Sequence, residues 1–426
     1  MLTVSPWHLH FSRGGWEVNA STFFLTLGVF LAYKAINKKS ILYIPAALSV
    51  VASLYTYHSM RVIVPLLGLS ILIIYWKKIK QSFQTHKKIF IFSIFLAVVL
   101  SIPLLKQFFS GAASSRFSGV SIFADSGPLW RALEMRRQHV GASNSLWVRA
   151  LHNRYLSYGI QFLQNYLSHF SPSFLFLKGD EIARSKVPGL GQSYLFLAPF
   201  VALGLIKTAQ NLKNKSTQLI LSWLLISPVA AALTFQSPHA LRSQNMVISL
   251  TIITAWGVFN LLSFLKDKSK LLKATAIIFA LILTYNTTSW AHQYTVHYPK
   301  EYPYAWEYGF EELGDYLSSH QDQYQKIIIT DKYDQPYILT AFFLKYPPED
   351  LQKTLVFTSR DKFGFSTGRS FGKFVFKDIN WQEDSQTPST LIVADPESAP
   401  SQLVPQHVIR YPNHQPVFKI YSTDKI

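Results

Sequence analysis

A small set of cationic, imidazole and phenol side chains stands at the ends of long apolar segments in this chain. The set consists of Arg13, Tyr57, His58, Arg61, His239 and Arg242. Charged groups are expensive near hydrocarbon, so those retained at its edge are candidates for function. Arginine binds phosphate through paired N–H donors in a partly dry site. These residue types therefore predict a site for a phosphate-bearing group.

Each of these residues also has a structural interpretation. An arginine at the end of a membrane span often only extends to the lipid headgroups. Arg13 and Glu17 are four residues apart, so on one helix they could simply pair. His8 and His10 flank Trp7, which is a weak pattern for a metal pair. No residue pattern specifies a metal, and a divalent ion stays an open alternative.

The composition favours a membrane protein. Hydrophobic residues make up 49% of the 426 residues and charged residues 15%, whereas about 25% charged is usual in soluble domains. The net charge of +18 could suggest nucleic acid, but the lysines form short clusters between apolar segments, so we expect no nucleic-acid partner. The chain has no cysteine, which excludes disulfides, a thiolate nucleophile and cysteine-ligated metals.

The apolar segments predict a polytopic α-helical membrane protein of about eight spans. The expected spans are 19–36, 41–57, 62–76, 89–105, 194–209, 219–235, 246–265 and 272–290. Lysines cluster in alternate connections, whereas the connections 56–61 and 236–245 hold no lysine and one arginine each. By the positive-inside rule, the lysine connections are cytoplasmic. The phosphate-site candidates then lie on the outer side of a multi-pass cell-membrane protein.

Four segments follow from this topology. Residues 1–105 would contain an outer N-terminal stretch and four membrane helices, and residues 194–290 four more. Between them, 106–193 would be an outer segment in which the spacing of apolar residues over 145–170 predicts one amphipathic helix. That helix could lie in the lipid interface or pack on other outer loops.

The last segment, 291–426, reads as an extracytoplasmic α/β domain. Strands are expected at 326–330, 371–376, 390–395 and 417–422, with a helix at 336–346. This is enough chain for a small domain with its own core. No glycine-rich phosphate loop or nucleophile elbow occurs in it, so a structural or acceptor-handling role is expected.

Four stretches resemble a known family, the membrane-embedded GT-C glycosyltransferases of the dolichyl-phosphate-mannose–protein mannosyltransferase group, with the related aminoarabinose transferases. They are "SPWHLHFSRGGWEVN" (5–19), "YTYHSMRVIVPLL" (55–67), "NYLSHFSPSFLFLKGDEIARSKVPGLGQ" (165–192) and "SPHALRSQN" (237–245). In the tail, "TDKYDQPYILTAFF" (330–343) looks like the outer domain of bacterial members.

The resemblance implies an inverting transferase of the bacterial cell envelope. It would move a sugar from a polyprenyl-phosphate donor to a hydroxyl of a protein, lipid or glycan. An acidic side chain would take the acceptor's proton, and cationic groups would stabilise the departing phosphate. The family carries its acidic base in the first outer loop after the first membrane helix. No such loop precedes Trp7, so Glu17 is a weak substitute, and Asp125, Asp180 and Glu181 are weaker.

An outer N-terminus without a signal peptide also suggests that earlier spans are missing. We therefore expect an N-terminally truncated copy. The alternative functions are a lipid-linked glycan polymerase or ligase, a flippase of lipid-linked sugars, and a non-catalytic membrane scaffold. A flippase would favour inverted repeats and polar groups near the bilayer midplane, and the sequence offers neither.

Overall fold

The computed structural model describes residues 1–109, 119–141, 144–361 and 366–425. It divides into two compact units, Met1–Gln293 and Tyr294–Ile426. Parts of the expected outer segment 106–193, namely 110–118 and 142–143, lie outside the described residues.

The first unit is built of helices. Its α-helices are α1 (Pro6–Arg13), α2 (Glu17–Asn37), α3 (Tyr43–Thr56), α4 (Met60–Thr85), α5 (Lys87–Phe109), α6 (Gly127–Arg137), α7 (Leu146–Leu151), α8 (Arg154–Ser168), α9 (Ala198–Gln210), α10 (Lys215–Ile226), α11 (Val229–Ala232), α12 (Met246–Phe264) and α13 (Ser269–His292).

Five helices in the described ranges are long and apolar enough to cross a membrane. They are Glu17–Asn37, Met60–Thr85, Lys87–Gln107, Met246–Phe264 and Ser269–Glu301. Two further expected spans are apolar helices of lesser length, Ser40–Thr56 and Leu195–Gln210, below the roughly 20 residues that a bilayer requires of an upright helix. The structure thus has a multi-helical, membrane-protein-like fold, and the count of eight spans stays a prediction.

The expected span 219–235 is not one helix. α10 ends at Ile226, and the four-residue α11 begins only after Pro228, since proline cannot continue a hydrogen-bonded helix interior. Two side chains of α8 bond backbone carbonyls around this break. The Tyr166 hydroxyl donates to the Leu225 carbonyl at 2.8 Å, and the Asn165 amide donates to the carbonyls of Ala232 and Thr234 at 3.3 and 3.0 Å.

The amphipathic stretch 145–170 is also divided. α7 ends at Leu151, and α8 begins at Arg154 with the Asn153 side chain accepting a hydrogen bond from the Leu156 N–H at 2.9 Å. An asparagine that caps a helix start in this way holds non-helical backbone angles itself. The expectation of a single helix was therefore wrong at Asn153.

Helices α9 and α12 touch backbone to backbone through two glycines. A Cβ atom built on Gly204 would stand 2.0 Å from the Ile253 carbonyl oxygen, and one on Gly257 would stand 2.0 Å from the Phe200 carbonyl oxygen. Small residues that permit such close approach are typical of helix pairs in membranes. These two glycines fix the distance between the short helix α9 and the long helix α12.

The second unit is an α/β domain around one sheet. Its strands are β1 (Lys326–Ile329), β2 (Val356–Phe357), β3 (Gly368–Phe371), β4 (Phe374–Phe376), β5 (Thr390–Ala394), β6 (His407–Arg410) and β7 (Pro416–Ser422), in the order β2-β3-β4-β1-β5-β7-β6. β1 pairs in parallel with β4 and β5, and the outer strands are antiparallel. Helices α14 (Tyr298–Glu301), α15 (Phe310–His320), α16 (Pro336–Phe343), α17 (Pro348–Thr354) and α18 (Trp381–Asp384) complete it.

The expected strand 371–376 is instead a hairpin. β3 ends at Phe371 and β4 begins at Phe374, with Gly372 at a φ of 48° in the turn between them. A positive φ suits glycine. The aromatic residues of "FGKFVF" indicated one continuous strand, and the turn at Gly372 was not predicted. The strands β1, β5 and β7 and the helix α16 confirm the other expected elements to within a few residues at their ends.

Replacing Gly204 with alanine should destabilise the first unit, because the new methyl group must push α9 away from the Ile253 carbonyl. Overpacking of this kind costs about 1–3 kcal/mol. The measurement is the thermal unfolding midpoint of the purified chain in detergent. Gly68→Ala is the matched control, since nothing lies within 4 Å of its Cβ position. Equal midpoints for Gly204→Ala and wild type would contradict the close packing.

Candidate functional site

The starts of α2 and α12 lie beside each other in the first unit. The Gln244 side chain, in the connection that leads into α12, donates to the Asn19 side-chain oxygen in the first turn of α2 at 2.9 Å. Asn245 accepts hydrogen bonds from Trp223 Nε1 at 3.1 Å and from the Ser227 hydroxyl at 2.8 Å. Ser243, Gln244 and Asn245 are fully buried. The connection 236–245 is thus held by side-chain hydrogen bonds and is not a free loop.

A buried carboxylate joins this connection to the loop after α8. Asp180 is completely inaccessible to solvent. One of its oxygens accepts the Ala240 N–H at 2.6 Å, and the other accepts the Ile182 N–H at 2.9 Å. Burial raises the pKa of Asp180 to about 6, although these two backbone hydrogen bonds act in the opposite direction. Asp180 therefore clamps two loops that are sixty residues apart in sequence.

Two buried histidines extend the Asp180 cluster. His239 Nδ1 lies 3.7 Å from Asp180 Oδ2, a distance at which an ion pair could form. Burial and the nearby positive charge of Arg242 lower the pKa of His239 well below 6.5, so its imidazole is neutral and the pair is not ionic. His169 Nδ1–H donates to the Asn165 carbonyl at 2.8 Å, and His169 Nε2 accepts the His239 backbone N–H at 3.1 Å. Burial lowers the pKa of His169 to about 4.

Arg242 and His239 are thus the two predicted site residues that the structure connects directly. The Arg242 guanidinium donates to the Thr234 hydroxyl at 2.7 Å, and Thr234 also accepts from Asn165 through its carbonyl. Arg242 is therefore engaged in holding the connection 236–245 to the end of α11 and is also close to His239.

The other four predicted residues lie on α1 and around the start of α4. Arg13 is the last residue of α1 and is exposed. Tyr57 caps the end of α3, and His58 is exposed in the turn that follows. Arg61 lies in the first turn of α4 and is half-buried, with a guanidinium that has no hydrogen-bond or ion-pair partner among the described residues.

Arg13 and Glu17 do not share a helix. The turn Gly14–Gly15, with Gly15 at a φ of 66°, separates the end of α1 from the start of α2. Glu17 is an exposed residue in the first turn of α2. The expectation that these two residues lie on one helical face was therefore wrong, because the glycine turn resets the direction of the chain between them.

A groove of about 560 Å³ lies between α1, the start of α2 and the start of α12. This is within the size range of small-molecule sites. Its lining is mostly apolar and aromatic, with a few neutral polar side chains and no charged one; it includes Leu2, His8, Phe11, Ser12, Trp16, Asn19, Thr22, Phe23, Phe24 and Ile248. The His8 Nδ1 atom and the Thr22 hydroxyl have no hydrogen-bond partner among the described residues. Thr22 is only 3% exposed, so its hydroxyl points away from bulk water, toward the protein interior or the groove.

Of the predicted phosphate-site residues, Tyr57 shares a hydrophobic cluster with the groove. Tyr57 packs against the same buried cluster as Trp16 and Ile248, two residues of the groove wall. Arg13, Arg61 and Arg242 themselves do not line the groove. A shared pocket for the three arginines therefore stays a prediction.

The histidines of α1 do not form a metal pair. His8 lines the groove, whereas the His10 ring is buried and its Nε2–H donates to the Arg184 carbonyl at 2.7 Å. Within the described ranges, no cluster of three or more histidine and carboxylate side chains is arranged to hold a metal ion.

Sequence reasoning undervalued Asp180 and did not select Asn165 and His169. A signal was available in "KGDEIA", because an aspartate that follows a glycine in a structured loop commonly accepts hydrogen bonds from backbone N–H groups two residues on. His169 and Asn165 are four residues apart on α8 and share its inner face. Their partners come from residues 232–239, which the local sequence cannot reveal.

No family model, curated protein or solved structure matches this chain.

The neutral histidines predict acid sensitivity of the first unit. The pKa of His169 is near 4 when folded and near 6.5 when unfolded, so the unfolded chain binds the extra proton between these values. The stability contributed by neutral His169 is present above about pH 6.5 and is lost as the pH falls toward 4. Asp180 acts in the opposite sense between about pH 4 and 6, because its folded pKa is raised. With His239 also lowered, the two histidines outweigh the one carboxyl, and the unfolding midpoint in detergent should fall on acidification from pH 7 to pH 4.5.

His169→Gln is the variant that isolates this effect. The glutamine amide retains a donor and an acceptor but does not titrate, so the midpoint should depend less steeply on pH than in wild type. Asp180→Asn should steepen the dependence, because it removes the opposing contribution. Identical pH profiles for wild type and His169→Gln would contradict the assignment.

Proposed function

We propose that this chain is a membrane glycosyltransferase that moves a hexosyl or pentosyl group from a polyprenyl-phosphate donor to a hydroxyl acceptor at the outer face of the cell membrane. The donor's phosphate binds at the start of α4, and its sugar occupies the groove beside α1 and α2. The second unit lies outside the cytoplasm and handles the acceptor.

The observation that carries the proposal is the pair Ser59 and Arg61 at the start of α4. The half-buried Arg61 guanidinium has no partner among the described residues, and neither has the Ser59 hydroxyl, although Ser59 is only 8% exposed. A partly dry cation without a counterion is unfavourable. The N-terminus of α4, which is regular helix as far as a kink at Tyr75, adds a positive dipole end. A phosphate would satisfy all three groups at once.

The groove supplies a second, complementary environment. Its neutral amide, hydroxyl, imidazole and aromatic lining suits an uncharged sugar ring better than a phosphate, because each polar group can hydrogen-bond a hydroxyl without a charge to neutralise. Tyr57, two residues before Ser59, packs in the cluster that also contains groove residues. A donor could therefore present its phosphate to one feature and its sugar to the other.

The predicted topology places both features on the outer side. α2, α4 and α12 each begin at the outer end in that topology, and the hydrogen bond between Gln244 and Asn19 is what two helices starting at the same end require. The lysine-rich ends of these helices would face the cytoplasm.

The chemistry needs one base and one anion site. The acceptor hydroxyl oxygen attacks the anomeric carbon, the bond from that carbon to the phosphate oxygen breaks, and the electron pair leaves with the polyprenyl phosphate. The hydroxyl proton passes to a base. A phosphate leaves without protonation when cationic groups stabilise its charge.

His8 is better situated than Glu17 to be the base. His8 lines the groove with a Nδ1 atom that has no partner among the described residues. Burial lowers the pKa of His8 below 6.5, so the imidazole is neutral at pH 7 and can accept a proton. Glu17 is exposed in the first turn of α2 and does not line the groove.

Replacing Arg61 tests the phosphate site. Arg61→Gln should weaken binding of polyprenyl phosphate to the purified chain about tenfold or more, as expected when a charged hydrogen-bonding partner is lost. Arg61→Lys should have a smaller effect, because it keeps the charge but loses the two-pronged geometry. Arg369→Gln, an exposed arginine of the second unit, is the control and should bind normally. Unchanged affinity in Arg61→Gln would remove the observation on which the proposal depends.

Replacing His8 tests the base. His8→Gln should slow sugar transfer on the order of 100-fold, within the range for loss of a general base, while polyprenyl-phosphate affinity stays near wild type. Glu17→Gln should transfer at nearly the wild-type rate. The measurement is release of polyprenyl phosphate from labelled donor in the presence of a hydroxyl acceptor. The reverse pattern, with Glu17→Gln inactive and His8→Gln active, would assign the base to Glu17.

A further inference from the structure

The outer helices α7 and α8 expose more apolar surface than a water-facing element would. Leu146 and Trp147 of α7 are each 81% exposed. On α8 the exposed residues Leu156, Ile160 and Leu163 follow one another at four- and three-residue steps, which places them on one helical face. An exposed apolar area of this extent marks a surface that another apolar body covers.

The apolar face of α8 is opposite the face that holds the helix in place. Asn165 is buried and bonds the Ala232 and Thr234 carbonyls. Tyr166, about 60° around the helix from Leu163, bonds the Leu225 carbonyl from the flank between the two faces. At 100° per residue, Leu163 lies about 160° around the helix from Asn165. The leucine face is therefore turned away from the first unit, and the described part of that unit does not cover it.

The positive charge of this region favours an anionic lipid surface as the partner. Residues 119–141 and 144–170 contain five arginines and no lysine, with only Asp125 and Glu134 as acidic residues. The exposed arginines are Arg131, Arg137, Arg149 and Arg154. Arginine and tryptophan beside a leucine face are typical of helices that lie in the headgroup region of a bilayer with anionic lipid.

We propose that α7 and α8 lie flat on the outer leaflet, with Leu146, Trp147 and the Leu156–Leu163 face in the lipid interface and the arginines on anionic headgroups. This surface rests on the membrane insertion proposed above, but it does not depend on transferase activity. The bilayer is favoured over a protein partner because the same unit carries the long apolar helices, and the exposed side chain of Leu225 on α10 continues the surface at the Tyr166 contact.

The absence of cysteine from the chain makes the test direct. Single cysteines at Leu163, Ile277 and Val404 are labelled with bimane, and the full-length chain is placed in nanodiscs that contain lipid brominated on the acyl chain. Ile277 is 60% exposed on α13, and Val404 is 90% exposed in the second unit. We expect strong quenching at Ile277, clear quenching at Leu163 and little at Val404.

The second measurement varies the content of anionic lipid. Raising phosphatidylglycerol from none to about a third of the lipid should increase quenching at Leu163 several-fold. The double variant Arg149→Gln and Arg154→Gln should remove most of that increase and leave quenching at Ile277 unchanged.

The outcomes distinguish failure of the proposed interfacial position from failure of membrane insertion. Strong quenching at Ile277 with none at Leu163 would overturn the interfacial position while leaving the spans intact. Crosslinking of Leu163→Cys to a second copy without lipid quenching would overturn it in favour of a protein interface. Absence of quenching at Ile277 would overturn membrane insertion itself, and the proposed outer surface with it.

Discussion

The Asp180 carboxylate accepts hydrogen bonds from the backbone of two loops that belong to different parts of the chain, and it does so out of contact with water. A buried carboxylate is unfavourable unless its oxygens are occupied. Here the N–H groups of Ile182 and Ala240 donate to the two oxygens. The hydrogen bond from Ala240 therefore fixes the position of the connection into α12. His239, Arg242 and Gln244 occupy their positions because that connection is fixed. The relation between α2 and α12, and hence the groove beside them, depends on the same contact.

The functional groups of the first unit fall into two classes that differ in how fully they are engaged. Asp180, His169 and Arg242 have hydrogen-bond partners in the described structure, as expected of residues that hold a structure together. Ser59, Arg61 and His8 each present a polar atom without a partner among the described residues. A buried polar atom without a partner is a position where a ligand would gain a hydrogen bond, and these three side chains lie in the first turns of α1 and α4 or directly before α4. The proposed phosphate and sugar sites follow from this contrast.

The sequence predicted the elements that depend on local composition. Three of the eight expected spans appear as helices of full length over nearly the expected residues. Two more, Met60–Thr85 and Ser269–Glu301, run nine and eleven residues beyond their expected ends, the first of them past a kink at Tyr75. The main strands of the second unit are near their expected places. Hydropathy did not show where a helix stops within an apolar run: Pro228, Asn153 and Gly372 each divide a segment that was read as continuous. Proline, a capping asparagine and a turn glycine act through backbone geometry, which hydropathy does not register.

The candidate site was less predictable, because its contacts join residues that are far apart in sequence. Arg242 and His239 were identified from their position at a span end, but Asp180 was ranked low and His169 and Asn165 were not selected. Each of these owes its role to a partner 60 to 70 residues away. A single sequence contains the residue types but not their hydrogen-bond partners. Those partners decide which polar residue has a structural role and which is free to bind a ligand.

The break between α10 and α11 ties the outside of the first unit to its interior. Asn165 and Tyr166 are neighbours on α8, and between them they bond carbonyls on both sides of that break. Asn165 also accepts the His169 ring N–H through its own carbonyl, and His169 in turn holds the backbone of His239. A continuous chain of hydrogen bonds thus runs from α8 to the connection that leads into α12. If α8 lies in the lipid interface as proposed, a change in leaflet thickness would act on the connection into α12 through these hydrogen bonds, and lipid composition would then alter how tightly a donor is held.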